Sequence, residues 1–86
     1  MARYRIELAP AAWRDLRKLP QEVLQRVRTA IDSLAGDALP PGLIKLTGSE
    51  DVWRIRVGQY RVLYRLHTQE LLIVVVRIGH RREVYR

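Results

Sequence analysis

Residues 53–65 have the sequence WRIRVGQYRVLYR, which predicts a β-hairpin. Gly58 and Gln59 form a two-residue loop, and glycine at the first central position favours a type II′ turn. Counting outward from this loop places Arg56 directly opposite Arg61. Side chains alternate along a strand, so one face of the hairpin is apolar and the other is cationic. The apolar face comprises Trp53, Ile55, Val57, Tyr60, Val62 and Tyr64. The cationic face comprises Arg54, Arg56, Arg61 and Arg65.

The cationic face is unfavourable for folding taken alone. Like charges directly opposite each other in a sheet destabilise it by about 0.2–1 kcal/mol. A charged solvent face is the ordinary alternative explanation, because one side of an antiparallel sheet commonly faces water. The four cations include no acidic neighbour on this face, however, and this favours phosphate binding with a strong dependence on salt concentration.

Two helices are predicted between a first strand and the hairpin. Charged and apolar residues alternate over residues 3–8, as in a strand with one buried face. Pro10 suits the first turn of a helix, and Pro20 ends that helix and starts a second, which runs to a left-handed cap at Gly36. An extended connector over residues 43–50 then leads to the hairpin. The apolar positions of the helices are Ala12, Trp13, Leu16, Leu19, Val23, Val27, Ala30, Ile31 and Leu34.

The last predicted strand, residues 71–78, is apolar on both faces, as expected of a central strand. A two-residue turn at 68–69 would put Arg77 on the core face. A three-residue turn at 68–70, or a bulge with the same effect, sets Arg77 opposite Arg61, and we expect this arrangement because an unpaired core cation is costly. The predicted fold class is α+β: an N-terminal strand, a helical hairpin and a three-stranded antiparallel meander, in a single domain over residues 1–86. Both helices pack on one face of a small, mainly antiparallel sheet.

Composition restricts the function classes. The 86 residues include no cysteine, so a disulfide scaffold is excluded. The longest apolar run, residues 71–76, is far shorter than the roughly 20 residues that cross a bilayer. Charged residues stand where a signal peptide would be apolar, so we expect a cytoplasmic protein with no membrane partner. The net charge of +7 makes nucleic acid the first candidate partner.

Metal and triad chemistry find little support in the sequence. There are two histidines, the carboxylates show no ligand spacing, and neither serine has an obvious base, so we expect no cofactor. The class of reaction that remains is chemistry at a phosphate, in which the protein positions the substrate and stabilises its charge. RNA carries its own nucleophile, the 2′-hydroxyl, which a protein need only align with the adjacent phosphate while stabilising charge and moving protons.

Four motifs occur in order along the chain. They are Lys45-Leu46-Thr47-Gly48, Trp53-Arg54-Ile55-Arg56-Val57-Gly58, Tyr60-Arg61-Val62-Leu63-Tyr64, and Ile78-Gly79-His80-Arg81 with Glu83-Val84-Tyr85. Together they resemble the RelE/ParE superfamily of type II toxins over essentially the whole chain. RelE-like members are metal-independent endoribonucleases that cut mRNA in the ribosomal A site and so inhibit translation. The resemblance therefore implies three kinds of partner: a cognate antitoxin, the ribosome with its mRNA, and operator DNA through the antitoxin complex only.

The resemblance also implies roles for individual residues. Arg54 and Arg56 would bind the mRNA backbone, and Arg61 would stabilise charge on the scissile phosphate. Arg81 would assist the leaving 5′-oxygen. Tyr85 would stack on a base and orient the substrate.

Two departures from the family pattern affect the proton transfers. RelE-like members often carry lysine at the positions of Arg54 and Arg56, and arginine is a poor general base. We therefore expect His80 to carry the proton, because histidine has a reference pKa near 6.5, although a lone histidine is more often a solvent-facing residue. Arg65 and Arg77 extend the expected RNA-binding surface.

Two other functions fit the same sequence. A ParE-like toxin that inhibits DNA gyrase shares the fold and has no nuclease activity. A non-toxic nucleic-acid-binding module would use the same cationic face without causing growth arrest.

Overall fold

The computed structural model describes residues 3–39, 44–45 and 52–80. It confirms the predicted α+β class. The elements are β1 (Arg5–Leu8), α1 (Pro10–Arg17), α2 (Gln21–Ser33), β2 (Ile44–Lys45), β3 (Val52–Val57), β4 (Tyr60–His67) and β5 (Leu72–His80). They form one five-stranded sheet in the order β1-β5-β4-β3-β2, with the short β2 inside the predicted connector.

The centre of the sheet is the predicted antiparallel meander of β3, β4 and β5. β1 pairs in parallel with β5, from Arg5 opposite Leu72 to Leu8 opposite Val75, which makes the sheet mixed. A parallel pair requires a crossover connection. Part of the chain between these two strands forms α1 and α2, which cover one face of the sheet.

The hairpin has the register that the sequence predicts. Arg56 lies opposite Arg61, and Val57 lies opposite Tyr60. Gly58 has a φ of 60°, whereas Gln59 has no positive φ, and this is the feature that distinguishes a type II′ turn from a type I′ turn. The turn chemistry therefore fixes which side chains of β3 and β4 share a face.

The predicted turn before β5 is wrong. Residues 68–71 form a four-residue turn, with Leu71 in the left-handed region at a φ of 52°. The register then shifts, with Leu63 opposite Arg77 and Tyr64 opposite Val75, so Val76 is an extra residue in β5. Arg77 consequently lies opposite Leu63, and Gly79 takes the predicted place opposite Arg61.

The bulge has a packing reason. Val75 and Ile78 are three residues apart, yet both are buried in the core under the helices, at 0% and 1% exposure. Regular alternation would place them on opposite faces. The extra residue keeps both side chains in the core and sets Arg77 opposite Leu63, with its guanidinium on Asp15 of α1 and not beside Arg61.

The core lies between the helices and the sheet. From the helices and the residue after α2 it receives Ala12, Leu16, Val27, Ile31 and Leu34, all at predicted apolar positions. Trp13 differs from the expectation, because its side chain is 52% exposed. None of the helices in the described residues has the length and apolar character that crossing a bilayer requires.

The predicted left-handed cap at Gly36 is also wrong. Gly58 is the one glycine with a positive φ among the described residues. After α2, the amides of Ala35 and Gly36 donate to the carbonyls of Asp32 and Ser33. These tighter turns satisfy the terminal carbonyl groups without a left-handed residue.

Candidate functional site

Four arginines share the sheet face that lies away from the helices. We call them the arginine face: Arg54 and Arg56 on β3 with Arg61 and Arg65 on β4. Their positions follow from the observed register, because residues that alternate with the buried Ile55 and Val62 point to the opposite side. The predicted grouping of these four residues is therefore present in the structure.

Arg61 differs from the other members in its burial. Only 9% of Arg61 is exposed, whereas Arg56 and Arg65 are exposed and Arg54 is half-buried. Alternation along a strand predicts which face a side chain takes but not how deeply it is covered. A charge in such a partly dry position interacts more strongly with a nearby phosphate than a charge in open water does.

Arg77, an expected part of the RNA-binding surface, does not join the arginine face, because its guanidinium is held by a carboxylate of α1 and lines a cleft with Tyr60 and His80. The Nε atom of Arg77 lies 2.7 Å from Oδ2 of Asp15, and Nη2 lies 3.4 Å from Oδ1. The Arg77 side chain is 49% exposed and that of Asp15 is 12% exposed. The positive charge of Arg77 is thus largely balanced within the chain.

His80 lies on the opposite side of the sheet from the arginine face. It pairs with Tyr60 across β4 and β5, and residue 60 belongs to the helix-covered face. The two rings meet edge to face, with centroids 5.6 Å apart and planes at 80°. Both rings line a cleft of about 290 Å³ together with Lys18 of α1. The structure therefore does not bring His80 together with Arg56 and Arg61.

Arg81 and Tyr85 lie outside the described residues, and their predicted roles stay predictions. The described part of β5 leads towards them. Gly79, two residues before Arg81, lies directly opposite Arg61.

Two residues near the site were missed by the sequence analysis. The sequence could have shown that Asp15 lies close to the core, because it is three residues after Ala12 and four before Leu19, at the edge of the apolar stripe of α1. No pattern in the sequence indicated that Arg26 of α2 lies near the hairpin. A Cβ atom at Gly58 would lie 3.8 Å from Nη1 of Arg26, so this cation lies beside the hairpin turn.

An apolar groove of about 550 Å³ lies between the helices and the edge strand β1. Trp13 is exposed along it, and Arg17, Arg28 and Asp32 are the charged residues at its walls. The apolar residues that line it are Ile6, Leu8, Trp13, Leu16, Leu24 and Ile31. Among residues 3–39, 44–45 and 52–80, no three histidine, aspartate or glutamate side chains come close enough together to hold a metal ion.

A family model described as the ParE toxin of the type II toxin-antitoxin system, parDE, matches residues 6–85. This chain belongs to the RelE/ParE superfamily of type II toxins. The resemblance seen in the sequence is thus confirmed. Among the RelE/ParE proteins it is similar to toxin RelG of Mycobacterium tuberculosis, with 32% identity over 96% of this chain and 97% of RelG.

Solved RelE/ParE structures have the same fold. A chain of the RelBE2 toxin-antitoxin complex from Mycobacterium tuberculosis matches with a TM-score of 0.81 and 30% identity, covering 93% of this chain and 100% of that one. A chain of the archaeal RelE-RelB complex from Pyrococcus horikoshii matches with a TM-score of 0.81 and 27% identity, covering 93% of this chain and 97% of that one.

Proposed function

We propose that this toxin is a ribosome-dependent, metal-independent mRNA endonuclease that inhibits translation. The observation that carries the proposal is the arginine face, in which the nearly buried Arg61 lies directly opposite the exposed Arg56. Two like charges in this position oppose folding, and the negative charges of a sugar-phosphate chain would attract both cations. The names of the RelE-type relatives support the same activity.

The proposed reaction uses the RNA as its own nucleophile. The 2′-oxygen attacks the adjacent phosphorus, its proton leaves to a base, and the bond from phosphorus to the 5′-oxygen breaks as that oxygen takes up a proton. The products are a 2′,3′-cyclic phosphate and a 5′-hydroxyl. Arg54, Arg56 and Arg65 would align the backbone, while Arg61 would stabilise the extra negative charge of the transition state.

The remaining roles are proposed on the resemblance. Arg81 would assist the leaving 5′-oxygen, and Tyr85 would stack on a base. His80, the expected proton carrier, lies on the opposite side of the sheet from Arg61, so its position does not support that role, and no described residue is assigned as the base. Arg77 can add to RNA binding only in part, since Asp15 already balances its charge.

The first prediction separates the roles of Arg61 and Arg56. Arg61→Ala should lower kcat for cleavage of ribosome-bound mRNA by about 100-fold or more, because it removes a preorganised charge that acts in the transition state. Arg56→Ala should mainly raise KM, because an exposed cation contributes to binding. Primer extension on mRNA in a reconstituted translation system measures both parameters.

Arg14→Ala is the matched control, since Arg14 is an exposed arginine on α1 at a distance in sequence from the hairpin. Its kinetics should equal those of the wild type. Circular dichroism should show all three variants to be folded. A folded Arg61→Ala variant that cleaves as fast as the wild type would refute the proposed site.

A gyrase-directed toxin is the second candidate function. The match to a family model described as the ParE toxin favours it. It predicts inhibition of supercoiling by purified gyrase and intact mRNA after induction. Mapping RNA ends in induced cells distinguishes the two toxins, and expression without growth arrest would instead indicate the non-toxic binding module.

We also propose that a cognate antitoxin neutralises this toxin. The solved relatives named above are toxins in complex with their antitoxins. The apolar groove suits an acidic, amphipathic helix of such a partner, because Trp13 offers exposed apolar surface and Arg17 and Arg28 offer positive charge beside it. Binding of operator DNA would require that complex.

A further inference from the structure

The carboxylate of Asp15 makes contacts to both the side chain and the backbone of β5. Besides the ion pair with Arg77, Oδ2 of Asp15 accepts a hydrogen bond from the backbone N–H of Ile78 at 2.9 Å. The Asp15 side chain is 12% exposed and its bond to the Ile78 amide is partly buried, whereas the ion pair with Arg77 lies at the surface. A single carboxylate on α1 thus fixes two consecutive residues of a strand more than 60 positions away in sequence.

The place of this contact follows from where β1 ends. The last pair between β1 and β5 is Leu8 with Val75, and the amide of Ala9 still donates to the carbonyl of Val75. The chain then turns into α1, so β1 supplies no acceptor for β5 beyond this point. A buried backbone N–H without a partner costs roughly 1–3 kcal/mol. Asp15 supplies the acceptor for Ile78 that the strand does not provide.

The same contact lies next to the arginine face. Gly79 follows Ile78 directly and lies opposite Arg61, and β5 then leads into Arg81. Beyond the bulge at Val76, β5 pairs with β4 along one of its edges, from Arg77 to His80, while β1 has already ended on its other edge. The contacts of Asp15 with residues 77–78 anchor that second edge.

We propose that Asp15 is a positioning residue, which through Arg77 and the Ile78 backbone holds the end of β5 at a set distance from Arg61. The inference rests on the proposed nuclease function, since it assigns Asp15 a part in that activity. Asp15 touches neither the RNA nor the reacting phosphate. Its effect is on the alignment of the groups that do, and a misplacement of about 1 Å can cost up to roughly 100-fold in rate.

The test compares Asp15→Ala with Asp15→Asn in the reconstituted cleavage assay, with rates expressed per folded molecule. Asp15→Ala should lower kcat by about tenfold, with KM within about twofold of the wild type, because alignment is lost while the RNA-binding cations remain. Asp15→Asn should recover part of this loss, because its amide oxygen can still accept the bond from Ile78. Glu22→Ala removes a carboxylate from the start of α2 and should leave kcat unchanged.

Each outcome decides the inference. A folded Asp15→Ala variant with wild-type kcat overturns it, as does a gain in RNA affinity with faster cleavage, which would show that Asp15 merely withholds Arg77. If Asp15→Ala does not fold, Asp15→Asn decides: wild-type kcat with a lower melting temperature means a purely structural role. If the wild type itself leaves ribosome-bound mRNA intact, the proposed function has failed instead.

Discussion

Tyr64 shows how one side chain ties the sheet to the segment after α2. It is fully buried, and its hydroxyl donates a hydrogen bond to the carbonyl oxygen of Ala38 at 2.6 Å. Burial, with a smaller contribution from the negative charge of Asp37, raises the pKa of Tyr64 to about 12. The folded protein therefore keeps this hydroxyl protonated at a pH where an unfolded chain would ionise it.

This pKa predicts a loss of stability in alkali. Tyrosine in an unfolded chain ionises near pH 10, so the stabilisation from Tyr64 is complete below pH 10. It declines as the pH rises to about 12, by at most about 1.4 kcal/mol per pH unit. Urea unfolding at a series of pH values measures the free energy of unfolding and its slope against pH.

Tyr64→Phe is the control for the alkaline loss. It leaves the Ala38 carbonyl without this donor and should cost about 1–3 kcal/mol at neutral pH. Its free energy of unfolding should then fall less steeply between pH 10 and 12 than that of the wild type. Equal slopes for the two proteins would contradict the assignment to Tyr64.

At the scale of elements, the hairpin of β3 and β4 depends on the backbone conformation of Gly58. A Cβ atom there would make only ordinary contact with Arg26, so space does not limit the residue. The positive φ of 60° restricts position 58 to glycine, because a residue with a Cβ atom in this backbone conformation costs about 1–2 kcal/mol of stability. Gly58→Ala should therefore destabilise the protein by about this amount in urea unfolding, and should lower cleavage activity only to the extent that it unfolds the chain.

Gly36→Ala provides the matched control for the hairpin turn. Gly36 has no positive φ, and a Cβ atom there would lie 3.5 Å from Nη1 of Arg3, an ordinary contact distance. The substitution reduces the freedom of the unfolded chain and should be neutral or stabilising by up to about 1 kcal/mol. If both alanine variants lose the same stability, the cost does not come from the φ of Gly58.

The sequence predicted those elements whose signals are local. The alternation of apolar and charged residues, together with Gly58 in the turn, predicts the register of β3 with β4. Pro10 and Pro20 predict where the two helices begin. The cost of an arginine in the core predicted a three-residue turn or a bulge before Arg77, but not the position of the bulge at Val76, which depends on Val75 and Ile78 both reaching the same core. The burial of Arg61 and the contact of Asp15 with Ile78 likewise depend on elements distant in sequence, and alternation along one strand cannot reveal them.

For the whole molecule, the distribution of charge predicts how RNA binding responds to salt. If each residue of the arginine face contacts one phosphate, the plot of log affinity against log salt for single-stranded RNA should have a slope of about −3. Arg56→Gln should reduce the magnitude of this slope by about 0.7. Titration of an oligoribonucleotide with 2′-O-methyl groups, which has no free 2′-hydroxyl to act as a nucleophile, measures the slope directly.

Arg14→Gln removes the same charge from α1 and controls for net charge, which is +7 for the whole chain. Its slope should stay close to that of the wild type. Equal reductions in the two variants would mean that RNA responds to the overall charge and not to the arginine face.

The parallel pairing of β1 with β5 has a consequence for the order in which the protein can be assembled. The first strand finds its neighbour only after residues 72–75, which lie far along the chain from residues 5–8, have been synthesised. Non-local pairings of this kind form slowly, because the entropy of closing a long loop is lost before any stabilising contact forms. During translation β1, α1 and α2 therefore have no complete sheet to pack against until β5 has been synthesised, and β5 follows the whole arginine face in sequence.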